Sequence, residues 1–186
     1  MLFDSHAHIN EASYSPEERT ELIKTIEASD VDYVADIGYD LASSKLAVEH
    51  AARYPWCYAV VGCHPHDAKS MDDMELAMYK GLARKKKVVA IGEIGLDFHY
   101  DHSPRDIQRE WFRRQIRMAN QLKMPIVIHS READQETMDI LKEEGAFSEE
   151  RKSWFPKRPD PSGYTLKKSE TAKKTPDGPA DHMADD

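Results

Sequence analysis

The stretch Val88–Asp97, "VVAIGEIGLD", decides how the chain is read. A strand with one wet face alternates apolar and polar residues, and this one does not. A near-continuous apolar run is how a strand covered on both faces reads, and such strands belong to parallel sheets sandwiched by helices. One carboxylate, Glu93, sits in the middle of the run. Buried there, it needs a partner or a cation.

Outward from Val88–Asp97 the pattern repeats. Leu2–Ile9, Val31–Gly38, Cys57–Pro65 and Pro125–Ser130 read as further short strands, each separated from the next by a helical signal. Ser15 caps the first helix, with Pro16 at its first position and Glu18 closing a capping box. Asp40 caps the second, and Pro55 stops it. A helix is expected over Asp72–Arg84. The next carries a stripe of Ile107, Trp111, Met118 and Leu122, widened by Phe112, Ile116 and Ala119, with Ser103 as expected cap and Pro104 in its first turn. Ala133–Gly145 reads as a helix that Gly145 ends. Strand and helix alternating in this way predict repeated βαβ units around a parallel sheet, an α/β fold.

The 186 residues are 40% hydrophobic and 32% charged, enough to bury a core, and the net charge is -8. That balance argues against broad attraction to nucleic acid or membranes, while leaving room for a local basic site or bound cations. No apolar run is long enough to cross a bilayer, and no basic-then-apolar leader opens the chain, so a cytoplasmic protein is expected. Cys57 and Cys63 are too far apart along one strand for a disulfide and are expected as buried thiols. From about Ser148 the composition turns rich in Pro, Lys, Ser, Thr and acidic residues, without a persistent period. A folded domain over 1–147 and a disordered polar tail over 148–186 are expected.

Four strands carry ligand-type residues near their C-terminal ends: His6 and His8, then His64 with His66 just beyond, then Glu93, then His129 with Arg131. Parallel strands gather those ends at one edge, where enzymes of this architecture place their sites. Alternation puts Asp4, His6 and His8 on one inward face. Taken singly, H-x-H also suits a hydrogen-bonded core pair, Glu93 a carboxylate paired with arginine, and His129 a satisfied core histidine. Taken together, imidazoles and a carboxylate in apolar surroundings suit a divalent ion, with zinc, manganese, iron and magnesium all admissible. Arg131 shares the face of His129 and suits a phosphate fork. His64 and His66 suit phosphate donors or general acids. The basic run Ala83–Val89 precedes its strand and reads as a solvated face at the opposite edge. His50 is expected on a helix, solvated or packed. His99 and His102 are expected at a loop surface, and His182 in the tail has no expected role.

The blocks "DSHAHI", "GCHPH", "GEIGLDF" and "QREWFRRQIRMANQLKMPIVIHSRE", in this order between Leu2 and Gly145, resemble the TatD-related deoxyribonucleases. The resemblance implies a TIM-barrel (β/α)8 fold and divalent-metal cleavage of DNA from an end, with two ions (Mg, Mn or Zn) per site. It implies that His6 and His8 hold one metal, that Glu93 bridges two, that His129 binds the second, and that His64 and Arg131 contact the substrate phosphate. D-aminoacyl-tRNA deacylation and hydrolysis of a small ester or amide stand as alternatives. The family's later histidine, in a motif like H-C-F-S-G, and its aspartate, in one like T-D-x-P, do not occur in the 186 residues. Five of eight strands are expected, an incomplete barrel whose activity falls below the family's. Its open sheet edges invite self-association.

Overall fold

The computed structural model describes residues 1–156. Five strands, β1 (Phe3–Ala7), β2 (Tyr33–Ile37), β3 (Cys57–Val61), β4 (Val88–Asp97) and β5 (Ile126–Arg131), alternate with helices α1 (Pro16–Ala28), α2 (Leu41–Arg53), α3 (Asp73–Leu82), α4 (Arg105–Leu122) and α5 (Asp134–Glu143). A 3-10 turn, Pro65–Ser70, links β3 to α3, and a short α6 (Glu149–Ser153) follows α5. All neighbouring strands pair in parallel, in the order β1-β2-β3-β4-β5, so β1 and β5 are the edges of the described sheet. The sheet curls into half of a (β/α)8 barrel.

Local chemistry sets the helix starts. The Ser15 hydroxyl accepts from the Glu18 amide while the Glu18 carboxylate accepts from the Ser15 amide, closing the expected box. Asp40 caps α2 in the same reciprocal way with Ser43. Ser103 is not a cap: Pro104 takes that position without a side-chain bond. The Ser103 hydroxyl instead donates to the His66 carbonyl and accepts from the Lys69 amide, tying the 3-10 turn to the start of α4. A short helix follows the expected boundary at 147. Ser148 caps α6 and Arg151 is buried, donating to Asn120 and to the Met124 carbonyl. The signal was present as Ser148 followed by two glutamates, but five residues are too few to show a period. Most of the expected tail, with His182, lies outside the described residues.

The main core fills the space between the sheet and α2, α3 and α4. Phe112, Ile116 and Ala119 of α4 pack there with Ile91, Ile94 and Leu96 of β4. A smaller cluster of Ala35, Ile37, Val60 and Ala90, with Val127, lines the other face of the sheet. Side chains alternate along β2, so Ala35 and Ile37 face one way while Asp36 faces the helices. Cys57 and Cys63 are buried free thiols, and burial pushes the Cys57 thiol up to about 12. No helix among the described residues is long and apolar enough to cross a membrane.

Candidate metal centre

The C-terminal ends of β1, β3, β4 and β5 converge on one carboxylate. Glu93 Oε2 lies 3.4 Å from His6 Nε2 and 3.8 Å from His8 Nε2, and Oε1 lies 3.3 Å from His129 Nδ1. Among the described residues, two groups have ligand atoms within 4.8 Å of one another: His6, His8 and Glu93, and His64, Glu93 and His129. The four residues expected to hold metal are therefore together. Asp4 is not with them. Its carboxylate accepts from the His6 amide, and the β1–β2 register shifts between Asp4 and Ala7, which breaks strict alternation.

Hydrogen bonds fix which nitrogens are free. A carbonyl oxygen only accepts, so the 2.8 Å bond between His8 Nδ1 and the Ile37 carbonyl places the proton on Nδ1. The Nε2 lone pair of a neutral His8 then faces a carboxylate oxygen. Two acceptors facing each other repel, and a cation between them removes the conflict. His129 stands likewise. Nε2 is bonded to Asp97 Oδ2 at 3.0 Å, and a neutral ring turns its Nδ1 lone pair to Glu93. The donor set fits a divalent ion at each side of Glu93.

Without an ion the same positions settle by charge. Burial raises the Glu93 carboxyl, but the His129 bond and the neighbouring imidazoles outweigh it and hold the group below the usual carboxylate range. Burial lowers His129, but its bonds to Glu93 and Asp97 outweigh this and raise it. His64 is pushed down to about 3, first by burial and then by His129 and His66. A ring held this far down is uncharged near neutrality. Its Nδ1 accepts the His66 amide at 3.2 Å, so the proton sits on Nε2. That tautomer makes His64 a donor beside the Glu93–His129 pair.

His66 spends its Nε2 on Asp97 Oδ2 at 2.9 Å, and so is committed to the framework. Arg131 is exposed at the rim, its guanidinium 4.6 Å from the centre of the Tyr100 ring. His102 is more than a loose surface group: it lies parallel to Tyr100 and edge-on to His66. His99 pairs with Glu132. His50 is buried and bonded to Asp36 at 2.7 Å. The basic run stays apart, with Lys87 donating to the Tyr54 and Pro55 carbonyls at the start of β4. A cavity of about 300 Å³ opens between His8, Tyr39, His64, His66 and Glu93.

Asp97 is the residue that sequence reasoning missed. It is fully buried, holds both His66 and His129 through Oδ2, and accepts the His99 and Tyr100 amides through Oδ1. Burial pushes its carboxyl up, but these bonds outweigh burial and carry it far down. A carboxylate closing an apolar strand was the available signal, the one already used for Glu93. Asp36, within "VADIG", carries the same signal.

A parallel half-barrel with histidines and a shared glutamate at its C-terminal strand ends defines a metal-binding α/β body of the (β/α)8 class. The chain belongs to the TatD-related DNase family, whose model matches residues 3–152. It is 45% identical over 146 residues to the uncharacterized metal-dependent hydrolase YabD of Bacillus subtilis, covering 78% of this chain and 57% of that protein. It is 35% identical over 140 residues to the 3'-5' ssDNA/RNA exonuclease TatD of Cronobacter turicensis, covering 75% of this chain and 53% of that one. Among solved structures it resembles YJJV, a TatD homologue from Escherichia coli K12, with a TM-score of 0.69 and 26% identity over 77% of this chain and 56% of the other. The chain spans about half the length of the relatives it matches.

Proposed function

We propose that this chain carries the metal-holding half of a divalent-metal phosphodiesterase acting on single-stranded nucleic acid ends. The observation that carries the reading is the convergence of His6, His8 and His129 on the one Glu93 carboxylate, at 3.4, 3.8 and 3.3 Å, with the Ile37 carbonyl holding the His8 proton on Nδ1. His6, His8 and Glu93 would hold one ion, and Glu93 with His129 a second. Bound there, the ions would neutralise the phosphodiester, lower the pKa of a water and steady the leaving oxygen. Neutral His64 offers its Nε2–H to a phosphate oxygen, and Arg131 offers a guanidinium at the rim. Asp97 keeps His66 and His129 in place. The naming of the Cronobacter relative as an ssDNA/RNA exonuclease supports the substrate class. A net charge of -8 is no obstacle, because the ions supply the local positive charge.

A second reading is a metal- or phosphate-binding body with little turnover. Edge strand β1, which begins at exposed Phe3 just after exposed Leu2, supports self-association. One experiment separates the readings. The 186-residue chain is titrated with Mn²⁺ or Zn²⁺ by calorimetry, then given end-labelled single-stranded DNA, with Glu93→Ala in parallel. Metal binding and end-wise cleavage, both lost in Glu93→Ala, support the first reading. Metal binding without cleavage supports the second, and no metal binding overturns the first.

A further inference from the structure

We infer that Asn10, clamped by Asp36 and His50, is a positioning residue for His8, and through it for the ion between His6, His8 and Glu93; this rests on the metal reading above. Asn10 is 2% exposed and lies just after β1. Its side-chain amide donates to Asp36 Oδ1 at 2.8 Å and to the Ile37 carbonyl at 2.9 Å. That same carbonyl oxygen accepts His8 Nδ1 at 2.8 Å. One oxygen therefore takes the metal-ligand candidate on one lone pair and Asn10 on the other.

The orientation of the amide is dictated. Both neighbours of Nδ2 are acceptors, so a flipped amide would aim its oxygen at a carboxylate and a carbonyl. Held this way, Asn10 Oδ1 is buried without a hydrogen-bond partner, the one such side-chain atom among the described residues. A group that serves folding alone is normally satisfied. Here the amide commits both of its protons to Asp36 and to the oxygen that orients His8, and leaves its own acceptor unmet.

Asp36 makes the clamp rigid. Its Oδ1 accepts the Asn10 backbone amide as well as the side chain, and its Oδ2 is bonded to His50 Nδ1 on α2 at 2.7 Å. The path runs from α2 through β2 to the end of β1, and it crosses buried groups only until it reaches His8. Partners of this kind fix the tautomer and ring direction of a ligating imidazole, and their loss weakens metal binding by about 10- to 100-fold.

The test measures zinc affinity by calorimetry and metal-free melting temperature on the full 186-residue chain, in Asn10→Ala and in Phe112→Ala, a core change away from the site. A third variant exchanges the pair, Asn10→Asp with Asp36→Asn. It restores a bond between the two positions and a partner for His50 but gives Ile37 no donor. We expect zinc binding about 10- to 100-fold weaker in Asn10→Ala and in the exchanged pair, and parental affinity in Phe112→Ala despite its lower melting temperature. Parental zinc affinity in Asn10→Ala, or in the exchanged pair should Asn10→Ala fail to fold, overturns the inference alone. So does a loss of affinity that follows melting temperature across all variants. A parent that binds no zinc, manganese or magnesium overturns the metal reading itself, and this inference with it.

Discussion

Replacing Asp97 by asparagine tests the metal centre through a proton. Asp97 Oδ2 accepts from His66 Nε2 at 2.9 Å and His129 Nε2 at 3.0 Å, while Oδ1 accepts the His99 and Tyr100 amides. An asparagine keeps one acceptor oxygen, which the two backbone amides hold. Its NH2 then faces both imidazoles, and each must answer with a lone pair at Nε2. For His129 this moves the proton to Nδ1, where it points at Glu93 Oε1, 3.3 Å away. The lone pair needed for an ion is gone. Two charge-assisted bonds become neutral ones, a loss of about 1 kcal/mol each and about 2 kcal/mol together. For a body of this size that lowers the melting temperature by about 4–8 °C. Calorimetry with Mn²⁺ or Zn²⁺ is expected to show the Glu93–His129 ion weakened about 10- to 100-fold and the His6–His8 ion retained. Parental affinity at both positions, or an unchanged melting temperature, refutes the reasoning.

Three further outcomes follow from other parts of the molecule. Gly95 has φ +153°, and a Cβ there would stand 1.9 Å from the His129 carbonyl oxygen. Gly95→Ala should therefore force β5 from β4 and destabilise by about 1–3 kcal/mol or more, read as a lower urea midpoint. Phe112 is 1% exposed in the main core. Phe112→Ala should cost about 3–5 kcal/mol by the same measurement, with the Glu93 cluster spared. The Glu144 carboxyl is held below its usual range by its bond to Arg117, against burial and with help from Arg113. Its stabilisation is fully present above the unfolded carboxylate value of about 4.3 and is lost as pH falls through the folded value. The melting-temperature gap between parent and Glu144→Gln should be widest near neutrality and shrink below pH about 4.

The chain's local grammar carried the architecture. The unbroken apolar reading of Val88–Asp97 implies cover on both faces, and the spacing of the other runs leaves room for one helix each, which suffices for a parallel sheet. Ser15 and Asp40 announce their caps because a cap needs only residues three apart. Ser103 misled because its hydroxyl is taken by the turn after β3, thirty-odd positions earlier, and local spacing holds no record of such a partner. α6 was hidden by its shortness.

For the site, sequence alone determined which residue types reach the C-terminal edge: His6, His8, His64, Glu93 and His129 follow from strand ends and alternation. Tertiary structure decided what each one does there. Asp97 gathers two imidazoles that are distant in sequence, Asn10 and Asp36 reach the centre through a shared carbonyl, and His64 loses its charge to burial among other imidazoles. The physical reason is that periodicity fixes which face a side chain takes. Proton placement, in contrast, depends on the one or two atoms within about 3 Å, which come from other strands and helices.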